Sequence, residues 1–258
     1  VVLAALIPQV AAAQATRPQD ASCRPEPFDS GRVAAVKDAR TLALADGREV
    51  RLAGLEVPAA ETGPGQAAIA ALGAHSLGKA VTLARAGPVT DRYGRVLAQV
   101  FVDGAGGRAL QDRLLEGGHA RLSDRAALQA CQRDSLAFER HARAAKLGLW
   151  ADPEYDLRRA DRAAEIVTQR GRFAIVEGTV LSVRESGGTI YVNFGRRWSE
   201  DFTATIPKRV ERSFAAAGLE PKQLERRRVR VRGWVEERGG PWIEVIRPEQ
   251  IEIAERKP

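Results

Sequence analysis

Residues 31–58 read GRVAAVKDARTLALADGREVRLAGLEVP, and the Asp46-Gly47 step near their middle restricts the fold more than any other feature. Asp-Gly between two β-rich runs signals a tight hairpin, because glycine tolerates the positive φ that such turns need. The chain is committed early to antiparallel strands. Further β-rich runs follow near 80–84 and 96–102, separated from the hairpin by a Gly/Ala-rich stretch at 66–77 that is weakly helical because Gly73 interrupts it. Next, RALQDRLLEGG places Ala109, Leu110, Leu114 and Leu115 on one helical face with Gly117 as a stop. A longer helix over about 126–146 ends at Gly148. The order for residues 31–151 is therefore β-β-β-α-β-β-α-α.

Residues 152–170, DPEYDLRRADRAAEIVTQR, are charged and lack a sustained apolar face, which reads as a linker or an exposed helix. Beyond them come strands near 173–185, 189–194 and 202–206, a helical piece around 210–217, and VRVRGWVEERGGPWIEV as a second hairpin. Three strands, a helix and two strands is the order of a five-stranded OB barrel. The expected fold class is mainly β with helices (α+β), with two OB-like barrels, the first extended by helices and the second over 171–254. A length of 258 residues suits two modest domains.

With 44% hydrophobic residues the chain can bury a core, and 40 Lys+Arg against 33 Asp+Glu give +7, which favours polyanionic partners. Most of that excess falls after residue 165. Residues 1–15, VVLAALIPQVAAAQA, resemble a secretory apolar region with a small-residue cleavage site, followed by a polar arm over 16–30. Export to the periplasm or beyond is the expectation; a buried helix is the other reading of the run, although it has no polar face. A membrane span needs about 20 apolar residues, which no stretch supplies. In an oxidising compartment Cys23 and Cys131 are expected to pair, since they match no zinc or redox spacing; two separate thiols is the alternative.

Five pieces carry a more specific message: KDART after the first strand, RLAGLEVP, DRYGRVLAQVFVDG, ALQDRLLEGGHARL and ARAAKLGLW. In this order and at these spacings, residues 31–150 resemble the staphylococcal nuclease (thermonuclease) family. The resemblance implies an OB barrel with flanking helices and a calcium-dependent phosphodiesterase site. Hydrolysis of a phosphodiester needs charge stabilisation on the phosphoryl oxygens, an activated water and a carboxylate-held hard cation. Arg51 and Arg95 match the family's two catalytic arginines, whose guanidinium forks suit phosphate oxygens. Arg92 and Tyr93 match positions that contact the nucleotide's phosphates.

The acidic half departs from the family pattern. Asp38 is kept, but Arg40 stands at a calcium-ligand position, Glu56 replaces the other ligand aspartate, and Val57 replaces the threonine after it. Ala59 falls where the family has its general base. Calcium is thus implied by the resemblance alone, with Asp38 and Glu56 as its only carboxylates, and no cofactor is expected from the residues themselves. Arg40, Arg51 and Arg95 together could hold a phosphodiester without cutting it. Glu61 is the nearest substitute base. The tyrosines that in the family pack near the base have no counterpart in HARLSDRAALQ.

In the second unit, alternation over 228–235 sets Val229, Val231 and Val235 on one face and Arg228, Arg230, Arg232 and Trp234 on the other. A basic stripe ending in tryptophan suits single-stranded nucleic acid. The same stripe also reads as a cross-strand ion-pair ladder, with Trp234 opposite Trp242 and Arg232 opposite Glu244. Tyr191, Asn193, Arg196, Arg197 and Trp198 form a second polar-aromatic cluster with the same two readings.

Three functions fit: an exported, catalytically degenerate nuclease-like protein that binds nucleic acid or another phosphodiester polyanion; an active phosphodiesterase with relocated carboxylates; or a non-catalytic envelope interaction protein. The sequence is silent on oligomeric state.

Overall fold

A computed structural model describes residues 26–102, 107–124 and 129–254. Residues 1–25 lie outside the described residues, as does the side chain of Cys131, so the signal-like run and the Cys23–Cys131 pairing are not addressed by it.

The Asp-Gly turn forms as read. β2 (Thr41–Leu44) and β3 (Glu49–Leu52) pair antiparallel with Leu42 opposite Val50. Gly47 takes φ +88° and the Asp46 carboxylate accepts from the Arg48 N–H at 3.1 Å. Before them, β1 (Pro27–Asp38) begins inside the stretch expected as a polar arm. Its first half pairs with β5 (Ala80–Thr90) and its second with β2; register shifts at Val33/Ala35 and Val36/Asp38 bend it across both. A bulged strand can thus close a barrel that a straight one leaves open. β6 (Val96–Val102) runs antiparallel to β5 and parallel to β3, completing the closed order β1-β2-β3-β6-β5.

Leu42, Val50, Leu52, Leu83, Ala98 and Val100 fill the barrel, and burying each leucine or valine side chain is worth about 1.5–3 kcal/mol. The helices close the barrel's surroundings. α1 (Gly63–Ser76) starts at Thr62, whose hydroxyl accepts from the Gly65 N–H, and buries Ala68, Leu72 and Ser76 at helical spacing. α2 (Leu110–Glu116) buries Leu110, Leu114 and Leu115, the face that the sequence marked out. β4 (Leu55–Glu56) pairs with β7 (Arg121–Leu122), setting Glu56 opposite Arg121, and α3 (Gln129–Ala144) follows.

The charged stretch 152–170 is more structured than a linker. It forms β8 (Arg158–Arg159), parallel to β9 (Phe173–Thr179), and α4 (Ala163–Val167), and it sends Ala160 and Ile166 into the second core. Tyr155 and Leu157 pack against a further apolar cluster, so a few apolar residues pin a polar segment whose overall pattern has no stripe. β10 (Ser182–Ser186), β11 (Thr189–Asn193) and β12 (Thr203–Pro207) form a meander, and α5 (Glu211–Ala216) leads to β13 (Arg228–Trp234), β14 (Glu236–Arg238), β15 (Gly240–Glu244) and β16 (Ile251–Ile253).

The second unit repeats the pairing logic of the first: strand one (β9 and β10) meets both its successor and β13, and β12 runs parallel to β15. It does so as two sheets, β10-β11-β12-β15-β14 and β16-β13-β9-β8. The expected hairpin forms over its second half alone: β14 pairs antiparallel with β15, Glu236 opposite Trp242, and β13 does not join it. Val235 is held by residues 170–172, donating to the Arg172 carbonyl and accepting from the Gly171 N–H, so the chain leaves the sheet there. β13 instead pairs with β9 and β16, placing Trp234 opposite Phe173.

The two units are joined by an apolar cluster in which Ala142, Leu149 and Trp150 pack with Phe173 and Ile175. Beside it lies a buried ion pair. Arg232 of β13 donates two hydrogen bonds to Glu139 of α3, at 2.9 and 3.0 Å, with both side chains at most 1% exposed.

Candidate functional site

Three arginines gather on one side of the first barrel. Arg51 lies on β3, Arg40 at the β1–β2 turn opposite it, and Arg95 at the start of β6 after the 91–95 turn. Burial pulls the Arg51 guanidinium below the usual arginine range, and the charges of Arg40 and Arg95 push it further down, against weaker opposition from Asp38 and Asp91. Like charges at short range in a partly desolvated place are costly. Among the described residues Arg51 makes no hydrogen bond and no ion pair.

Its two neighbours are committed. Arg95 donates from Nε to Asp91 at 2.8 Å and its Nη2 lies 2.7 Å from the same carboxylate. Asp91 also accepts from the Tyr93 and Arg95 backbone N–H groups; these contacts outweigh its partial burial and hold its carboxyl below the ordinary value. Asp91 is a positioning residue that the sequence reading missed, although its i,i+4 spacing to Arg95 was visible. Tyr93 is exposed, with the Arg92 and Arg95 guanidiniums 4.8 and 5.1 Å from its ring centre, a cation–π arrangement.

Arg40 has a different occupation. Its Nη1 donates to the Leu55 carbonyl at 2.6 Å and lies 3.5 Å from the Glu56 carboxylate. Asp38 accepts from the Arg40 backbone N–H at 2.8 Å. A guanidinium thus sits between a backbone carbonyl and the carboxylate of Glu56.

The loop after Glu56 is tied down. Thr62 donates to the Ala59 carbonyl at 2.7 Å, and Gln66 reaches the Ala60 carbonyl. A Cβ on Gly65 would stand 1.9 Å from the Ala59 carbonyl oxygen, so the first turn of α1 packs directly on residue 59. Ala59 and Glu61 are both exposed, and Glu61 makes no hydrogen bond or ion pair among the described residues.

The basic stripe of the second unit has a different fate. Alternation is as read, with Val229 and Val231 fully buried, but the arginine face is covered by α3. Arg228 and Arg230 share Glu177, Arg230 also meets Glu252 at 2.8 Å, and Arg232 is sealed against Glu139. Arg232 therefore has no surface to offer a phosphate. The ion-pair reading holds with other partners: Glu139 in place of Glu244, and Phe173 in place of Trp242 beside Trp234, at 6.4 Å edge-on. Burial alone would lower Arg232 and raise Glu139, yet their mutual attraction wins, leaving the arginine above and the glutamate below its ordinary range. Tyr191 and Trp198 are exposed, and Arg197 is paired with Glu200.

A closed five-stranded OB barrel with flanking helices and converging arginines defines a nuclease-fold unit. Residues 49–152 match the family model of the staphylococcal nuclease homologues. The barrel itself starts upstream of the match, because β1 and β2 close it. No match was found among the curated proteins.

Proposed function

We propose that the first unit binds phosphodiesters of nucleic acid through Arg51, flanked by Arg40 and Arg95, and holds them without hydrolysis. The carrying observation is Arg51: a partly buried guanidinium, repelled by two others and unpaired among the described residues. A phosphate bridging these arginines relieves that repulsion and accepts paired N–H bonds.

The same surroundings do not suit a calcium ion. Such an ion takes six to eight oxygen ligands, largely from carboxylates. Here the Arg40 guanidinium occupies the Leu55 carbonyl and approaches Glu56. Among the described residues no three acidic, histidine or cysteine side chains gather. Residue 59 brings no base. Export, resting on residues 1–15, completes the reading.

The test is fluorescence anisotropy with single-stranded DNA and RNA, in chelator and in calcium, with cleavage followed separately. Binding should be independent of calcium, and log K should fall with log salt with a slope of roughly −0.7 for each phosphate neutralised. Arg51→Gln should lower affinity about tenfold or more. Failure of both nucleic acids to bind at low salt would leave the envelope-interaction reading.

A further inference from the structure

A cavity of about 500 Å³ opens between the C-terminal end of α3 and β13, where the two units meet. Arg140 and Arg143 of α3, Arg230 of β13 and Lys146 line it, with Trp150 and Leu157 as apolar wall. Lys146 is balanced by Asp156 at 2.5 Å. The rest of the network is not balanced. Among the described residues, Arg140, Arg143, Arg228, Arg230 and Arg232 pair with Glu139, Glu177 and Glu252, a surplus of two positive charges.

Of these five arginines, Arg140, Arg143 and Arg230 line the cavity. Glu252 is shared by Arg230 at 2.8 Å, Arg143 at 3.4 Å, Arg232 at 3.6 Å and Arg140 at only 4.0 Å. Arg140, about half exposed, is the least committed of the five. Trp150, whose ring lies 5.6 Å from the Arg143 guanidinium, is 1% exposed, and its indole N–H is without an acceptor among the described residues.

We propose that this cavity binds a small organic phosphate, its phosphoryl group on Arg140 and Arg143 and its body against Trp150 and Leu157. A phosphomonoester carries close to two negative charges at neutral pH, which matches the surplus. The volume falls in the range of small-molecule sites, roughly 300–1,000 Å³, and exceeds what inorganic phosphate fills. Because the walls come from both units, the ligand clamps them together and raises the melting temperature of the whole chain.

The experiment uses the full chain carrying Arg51→Gln, so that the barrel site does not contribute, with calorimetric titration of inorganic phosphate and of adenosine 5′-monophosphate. The nucleotide should bind, raise Tm and bind more tightly than phosphate; adding Arg140→Gln should weaken it about tenfold. Arg140 is half exposed with one distant ion pair, so this variant should fold. Leu157→Trp, which intrudes from the apolar wall, should weaken binding by a separate route. No binding of the nucleotide, or equal binding to the Arg140→Gln protein, overturns the site. Equal affinity for phosphate and nucleotide overturns the assignment to an organic phosphate.

Discussion

In the first unit Arg51 stands at a strand beside two further guanidiniums with no carboxylate in contact; in the second, Arg228, Arg230 and Arg232 stand on a strand and meet three glutamates. The two units share a strand-pairing scheme, including the parallel pairing of the third and last barrel strands. What differs is the cover. α1 and α2 pack about the first barrel and, among the described residues, bring no carboxylate to Arg51, whereas α3 lies across β13 and brings Glu139 to Arg232. An arginine-rich strand therefore reports a face, and the element that covers this face decides between binding and cohesion.

Removing one partner of the buried pair gives the largest expected effect. Arg232→Ala leaves the buried Glu139 carboxylate with Arg143 and the Leu122 N–H as its remaining partners and should cost about 3 kcal/mol in urea unfolding, the lower end for a broken buried pair. A loss below about 1 kcal/mol would equate the pair with a surface bridge and break the comparison.

Arg51→Ala should behave oppositely. It should cost about 1.5–3 kcal/mol in oligonucleotide affinity, because a charged hydrogen-bonding partner is lost, yet leave the urea midpoint unchanged or raised, because a repelled cation is gone. A large stability loss would show that Arg51 is a structural residue after all.

Acid separates the units more gently. Glu139 and Glu177 have folded pKa values below the ordinary 4.5: burial opposes their ionisation, but Arg232 and the Arg228/Arg230 pair override it. Their stabilisation is present above that value and is lost as pH falls through the depressed folded values. Asp112, raised by burial despite its bond to Ser135, contributes in the other sense, its share being full below 3.8 and lost as pH rises through its folded value. The urea midpoint should fall on acidification below 4.5, and Glu139→Gln should flatten that fall. An unchanged slope would remove Glu139 as its source.

The smallest effect is expected at Arg228, whose pair with Glu177 is more than half exposed on the arginine side. Arg228→Gln should change stability by less than about 1 kcal/mol and leave oligonucleotide affinity unaltered.

Much of this was legible in the residues. Five motifs in order located the first barrel, Asp46-Gly47 located its hairpin, and the alternation of β13 located its core face. Long-range partners were not legible. The local hairpin reading held for residues 236–242 but not for β13, which pairs with β9 and β16 instead. Glu139 did leave a signal, since it sits three residues from Leu136 and Ala142 on the inward face of α3. A carboxylate within an apolar stripe calls for a buried cation, but only the fold shows that it comes from β13. Likewise, Arg40 read as the loss of a ligand, and the structure adds its donation to the Leu55 carbonyl.

The central claim is that the first unit binds phosphodiesters and does not cut them because Arg40 and Ala59 stand where a ligand and a base are needed. It is tested most directly by comparing cleavage of single-stranded DNA in calcium by the parent and by Arg40→Asp with Ala59→Glu. The account predicts that the parent binds without cleaving, that each single change does little, and that the double variant gains calcium-dependent cleavage, to which general-base assistance contributes about 10²–10⁴ in rate. Vigorous calcium-dependent cleavage by the parent, abolished by Glu61→Ala, would contradict it.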